Sequence, residues 1–106
     1  MSRSEANIQR DIMMALSNTG CIVWRNNTGA LRDATGRLVR YGLCKGSSDI
    51  IGICPDGKFL CVEVKSDKGR PTPEQERFIA AVRGKGGRAG VARSVEDALE
   101  IACHTE

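Results

Sequence analysis

The stretch from Ser47 to Gly69, SSDIIGICPDGKFLCVEVKSDKG, admits few conformations. Two short runs of apolar and β-branched residues, Asp49–Ile53 and Phe59–Val64, flank Pro55-Asp56-Gly57, a strong turn signal. This predicts a β-hairpin. With the turn centred on Asp56, Ile53 lies opposite Phe59, Ile51 opposite Cys61, and Asp49 opposite Glu63. Side chains alternate along a strand, so Leu60, Val62 and Val64 form one wholly apolar face directed at a core. Asp49, Glu63 and Lys65 share the other face. A slip of one residue would reverse every side chain, which makes the register a sharp expectation.

The rest of the chain supplies what such a hairpin packs against. Ile8, Ile12 and Leu16, with Met13 and Ala15, recur at helical spacing and predict a first helix from about Ser4 to Asn18, stopped at Gly20. CIVWRN (Cys21–Asn26) reads as a strand, with Trp24 expected in the core rather than as a wedge between bases. Asn27 to Ser48 is polar and glycine-rich, with one short strand signal in RLVRYG. It reads as an extended loop or loose hairpin, and a connection this long usually serves function. After the central hairpin, Thr72, Pro73 and Gln75 form a capping box that starts a helix ending near Gly84. RAGVAR (Arg88–Arg93) reads as a strand. Ser94 then caps a last helix, with Asp97 as its capping-box partner. Residues 1–106 therefore read as one α/β domain, a mixed sheet flanked by helices.

Bulk properties narrow the classes of function. No run approaches about 18 apolar residues, and the first residues lack a signal-peptide core. The expectation is a cytoplasmic protein without a membrane segment. The five cysteines are odd in number and form no C-x-x-C pair, so they read as reduced and mostly buried rather than as a zinc or disulfide framework. The net charge of +3 is mild, but it is unevenly spread. Gly20 to Ser48 holds five basic residues (Arg25, Arg32, Arg37, Arg40 and Lys45) against Asp33 alone. Lys68 to Arg93, which includes Lys68 and Arg70, holds seven against Glu74 and Glu76. Acids flanked by basic surface suit a polyanion that meets a metal site, as well as an ordinary solvated surface.

Opposed strand residues place their Cβ atoms about 4.5–5.5 Å apart. Two carboxylates at that distance repel unless a shared proton, a basic neighbour or a divalent cation relieves them. Oxygen ligands without Cys or His suit Mg²⁺ or Mn²⁺. Such an ion activates water and polarises a phosphoryl oxygen. Lys65 would orient or deprotonate the water, or stabilise developing charge. A capping Asp49 beside a surface Glu63–Lys65 pair is the plainer alternative.

The ordered set of Glu5, Asp49 within GSSDIIGI, Glu63-Val64-Lys65 within FLCVEVKSDKGRPTPEQ, and Gln75 resembles the VRR-NUC domain proteins. These form a branch of the PD-(D/E)XK nuclease superfamily that occurs stand-alone in bacteria and phages and as a domain of eukaryotic repair nucleases. The resemblance spans nearly the whole chain and implies a restriction-endonuclease-like core of order α-β-β-β-α-β plus a C-terminal helix. It implies that Asp49, Glu63 and the Val64 carbonyl, joined by Glu5 approaching from the first helix, hold Mg²⁺ or Mn²⁺, and that Lys65 is catalytic. On the residues alone, Glu5 could instead complete a capping box with Ser2, and Gln75 could serve the Thr72 cap or the site.

The implied activity is a metal-dependent DNA endonuclease that leaves a 5′-phosphate and a 3′-hydroxyl. By analogy with Holliday-junction resolvases, it would prefer branched DNA and act as a homodimer. The sole histidine, His104, sits at the C-terminal end, which argues against the nuclease classes that need a histidine general base. With few aromatic residues, recognition would run through phosphates and DNA shape. Arg25, Arg32, Arg37, Arg40, Lys45, Lys68 and Arg70 are the candidate DNA contacts. The competing reading is a catalytically inactive nucleic-acid-binding module of the same fold.

Overall fold

The computed structural model describes residues 4–103; Ser2 and His104 lie outside them. The elements are α1 (Glu5–Asn18), β1 (Ile22–Arg25), β2 (Gly29–Arg32), β3 (Leu38–Tyr41), β4 (Ile50–Ile53), β5 (Phe59–Val64), α2 (Pro73–Gly84), β6 (Arg88–Ala92) and α3 (Val95–Cys103). Each helix begins at a hydroxyl that takes an otherwise unpaired first-turn N–H. Ser4 Oγ accepts from Asn7 N–H at 3.2 Å. The capping role at α1 therefore falls to Ser4, and the Ser2 box lies outside the described residues. Ser94 Oγ accepts from Asp97 N–H at 3.1 Å, while the Asp97 carboxylate takes the N–H of Arg93, one residue earlier than a capping box requires.

β1, β4, β5 and β6 form one mixed sheet in that order; β5 and β6 are parallel and the other pairs antiparallel. The register of the central hairpin is Ile53↔Phe59, Ile51↔Cys61 and Ile50↔Val62, as the turn chemistry predicts. Gly57 sits at φ +90° and donates to Cys54 O at 2.8 Å, a turn conformation open to glycine at little cost. The Arg88 guanidinium grips the Asp56 carboxylate with two hydrogen bonds of 3.0 and 2.8 Å, tying the turn to β6.

Alternation along β5 splits the interior into two layers. Leu60, Val62 and Val64 pack with Ile8, Ile12, Leu16, Ala98 and Ala102 of α1 and α3. On the opposite face, Ile51, Cys61 and Ala89 pack under Ile79 of α2. Burying such side chains on both faces is worth about 1.5–3 kcal/mol for each large one, so β5 is the most firmly held strand. Cys21, Cys54 and Cys61 are buried, whereas Cys44 and Cys103 are exposed; all five are free thiols.

One region settles between the two readings of the sequence, and one residue departs from its reading. The glycine-rich segment is a defined antiparallel hairpin, β2–β3, with register Leu31↔Val39 and Ala30↔Arg40. Its turn is organised by Asp33, whose carboxylate accepts from Thr35 N–H, Thr35 Oγ and Arg37 N–H. These bonds hold the Asp33 carboxyl below its ordinary range. Trp24, expected in the core, is 46% exposed. It shares a face with Ile51, but α2 crosses over β5 and β6 and leaves β1 bare on that side.

Candidate active site

The site forms where the ends of β4 and β5 meet the start of α2. Asp49 immediately precedes β4, and its Oδ2 accepts the N–H of Val64 at 2.9 Å. Two rungs beyond Ile51↔Cys61, the register brings Asp49 to Glu63. The approach to Asp49 is fixed by Asn26 at the end of β1. Asn26 N–H donates to Asp49 O at 2.8 Å, and its side-chain amide donates to Ser47 Oγ at 2.7 Å and Ser48 O at 2.9 Å. The sequence reading missed Asn26, because its partners lie more than twenty residues away. An Asn ending a strand just before a loop was the only available signal.

Glu63 is a carboxyl at 2% exposure. Its Oε2 accepts from Gln75 Nε2 at 3.2 Å and lies 3.6 Å from Lys65 Nζ. Its Oε1 is buried with no hydrogen-bond partner. Burial is the main force raising the Glu63 carboxyl to about 8; the neighbouring Asp49 pushes the same way, and Lys65 opposes both.

Gln75 resolves its two readings by serving both. Its Oε1 accepts from Thr72 N–H at 2.8 Å, and Thr72 Oγ1 accepts from Gln75 N–H at 3.2 Å, which completes the capping box. Its Nε2 remains free to donate to Glu63.

Lys65 continues the ladder through Lys65 N–H to Ala92 O at 3.1 Å. The loop after it is held from two sides. Ser66 N–H donates to Glu5 Oε2 at 3.3 Å, and Arg93 Nη1 donates to Ser66 O at 2.5 Å and Gly69 O at 2.6 Å. Gly69 fits tightly there: a Cβ would stand 3.2 Å from Glu5 Oε2 and 3.4 Å from Lys65 Cδ. Glu5 is therefore brought to the Lys65 loop. Arg93, counted in the sequence only as surface charge, is a clamp on that loop.

The donor set fits a hard divalent cation. Asp49 and Glu63 offer carboxylate oxygens, one of them a buried acceptor with nothing to accept from, and neither Cys nor His intrudes. Among the described residues, no three Asp, Glu, His or Cys side chains converge to cage an ion unaided. The two carboxylates would be completed by a backbone carbonyl, that of Val64, and by water. Mg²⁺ commonly binds through one or two carboxylates and retains several waters.

The basic residues separate spatially. On the β2–β3 hairpin, Arg32 and Arg40 share one face, while Arg37 lies in the turn just before β3. Lys45 pairs with Glu74 at 3.5 Å. Arg25 ends β1, and Lys68 and Arg70 lie on the loop that Arg93 holds.

A mixed four-stranded sheet between helices, with an Asp and a Glu-x-Lys meeting at its centre, is the arrangement of the PD-(D/E)XK nucleases. The chain belongs to the VRR-NUC domain family, which matches residues 3–96. A solved structure titled "VRR_NUC domain" superposes with a TM-score of 0.65 at 24% identity, covering 96% of this chain and 97% of the other. No curated protein matches the chain. Family membership supports a nuclease-type function on DNA, and VRR-NUC nucleases are generally dependent on divalent metal.

Proposed function

We propose that the protein is a Mg²⁺- or Mn²⁺-dependent endonuclease that acts on branched DNA, such as a four-way junction, as a homodimer. The observation that carries this reading is the buried, unpartnered Glu63 Oε1 beside Asp49 and Lys65. A bound divalent cation would supply Lewis acidity toward a phosphoryl oxygen and a more acidic water. Asp49, Glu63 and the Val64 carbonyl would hold it.

The chain's own groups then set the geometry. Gln75 orients the Glu63 carboxylate, leaving one oxygen directed into the site. Lys65 Nζ lies 3.6 Å from Glu63 Oε2, at the edge of the acidic pair, with hydrogen bonds to donate. It therefore steadies the attacking water and the charge that gathers on the phosphate. Hydrolysis joins the water oxygen to phosphorus as the P–O3′ bond breaks, and the departing oxygen gains a proton. Arg93 and Glu5 fix the Lys65 loop through its backbone. Arg25, Arg32, Arg40, Lys68 and Arg70 supply phosphate contacts that set affinity without reading bases.

The test is cleavage of an end-labelled four-way junction and a linear duplex of matched sequence, with Mg²⁺, Mn²⁺ or EDTA. Metal-dependent cutting of the junction in preference to the duplex is expected. Binding of both DNAs with no cutting in any metal would establish the non-catalytic module instead.

A further inference from the structure

The exposed apolar side chains are concentrated on two surfaces. The first lies on the α2 side of the sheet. Ile22, Ile53 and Phe59 form one cross-strand row, and Trp24 stands in the next row opposite Ile51. The same alternation that turns Val23 toward the core turns Ile22 and Trp24 to this side. α2 covers Ile51 and Cys61 but not these four, which are 64%, 40%, 41% and 46% exposed in the order Ile22, Ile53, Phe59, Trp24. The second surface is one face of the β2–β3 hairpin, where Leu31, Val39 and Tyr41 stand together and Tyr41 lies over Gly29. The other face of that hairpin carries Arg32 and Arg40, with exposed Leu38 opposite Arg32. Among the described residues, the hairpin makes no substantial packing contact with any other helix or strand.

We infer that both surfaces are the seat of a second copy of this chain, with the arm of each protomer covering the bare sheet of its partner. Three observations select this occupant. An isolated two-stranded hairpin is marginal in water, so a defined one needs a surface to lean on. The four side chains of the sheet patch are apolar and meet lysines only at the rim, where Lys58 and Lys85 line the hollow beside Phe59, so the patch suits an apolar surface better than a phosphate. The areas also match. With a free aromatic side chain offering about 150–250 Å², the four sheet residues present roughly 400 Å² and the three arm residues roughly 300 Å². Each alone is the size of an ordinary surface patch, but together they approach the roughly 800 Å² per partner of a stable interface.

Placement supports the same assignment. Trp24 lies two residues before Asn26, the residue that fixes the approach to Asp49, and the arm departs from the same point. A partner seated on the bare sheet would therefore lie beside the acidic pair, and the basic face of the arm would stay open to DNA. The inference names the surface of the homodimer proposed above.

Sedimentation at micromolar concentration tests it, using wild type, Trp24→Glu and the arm variant Leu31→Glu. A dimeric wild type is expected, with each substitution weakening association by about tenfold or more. These side chains are exposed, so thermal melts should show a folded protomer. Hydrogen exchange on wild type gives a second readout that needs no variant: β2–β3 amides should gain protection as protein concentration rises through the association range. Dimers indifferent to both substitutions, with arm protection independent of concentration, would overturn the assignment and leave the homodimer standing. A wild type that remains monomeric with and without junction DNA would overturn both. Unchanged association with selective loss of single-strand binding in Trp24→Glu would make the patch a base-stacking surface and likewise overturn it. Metal-dependent cleavage is scored separately, so the nuclease reading stands or falls on its own.

Discussion

The molecule contains two antiparallel hairpins built by the same local rules and put to opposite uses. β4–β5 turns on Asp56-Gly57 and is enclosed by α1 and α3 below and α2 above. β2–β3 turns on an Asp33 knot and is enclosed by nothing among the described residues of its own chain. Both obey cross-strand alternation. The difference lies in which faces find partners. In the central hairpin, burial is complete enough at the end away from the turn that a single rung carries two carboxylates, Asp49 and Glu63, held at fixed geometry by the rungs before it. In the arm, the side-chain hydrogen bonds stay within the hairpin itself, at Asp33 and from Arg32 to Gly36 O, and the described residues of the protomer leave its apolar face bare.

The two hairpins differ most in chemistry. Lys65→Ala and Asp49→Asn should each reduce metal-dependent cleavage by about 10²–10⁴-fold with the fold retained, measured as single-turnover rates on junction DNA. Arg40→Ala should leave that rate at saturating protein within about twofold. Stability comes next. Leu60→Ala should cost about 2–5 kcal/mol in urea unfolding, whereas Leu31→Ala in the arm, at concentrations where the protein is monomeric, should stay within about 0.5 kcal/mol. Equal losses at the two positions would erase the distinction between the hairpins.

The buried acid adds a pH dependence that the arm lacks. Glu63 titrates at about 8 rather than at its ordinary 4.5, so across that window the native state keeps a proton that the unfolded chain releases. Metal-free stability should therefore be full below about pH 4.5, fall by up to about 1.4 kcal/mol per pH unit as pH rises to 8, and level off above. Glu63→Gln should flatten the profile in denaturant melts with EDTA; an unaltered slope would remove Glu63 as its source. Arg93→Lys, which replaces a two-carbonyl grip with a single point charge, should lower kcat by about tenfold with KM nearly unchanged. The smallest effect belongs to the arm. Replacing Arg32 and Arg40 with Ala should reduce the slope of log affinity against log salt by about one unit for each phosphate left without its arginine.

What the sequence disclosed follows the same division. The central register was legible because Pro-Asp-Gly pins the turn and Leu60, Val62 and Val64 permit only one face inward. The capping box at Thr72 was legible because it is local. Trp24 was not, since β propensity says that a residue fits a strand and not whether a helix will cross above it. β2 was hidden because Gly29-Ala30-Leu31-Arg32 has little strand propensity and draws its order from pairing with Leu38–Tyr41. Arg93 and Asn26 were hidden for another reason. Both act on backbone carbonyls far along the chain, and a carbonyl leaves no mark in a sequence.

Gln75 links two lengths that would otherwise vary freely. One end of its amide fixes where α2 begins, and the other fixes how Glu63 points. An insertion between Lys65 and Thr72 that moved the helix start by one residue would rotate that amide by about 100° around the helix and withdraw it from the acid. Loops normally tolerate changes of length; this one is gauged by a side chain at its far end. Relatives of this protein should keep a constant count from the lysine to the glutamine.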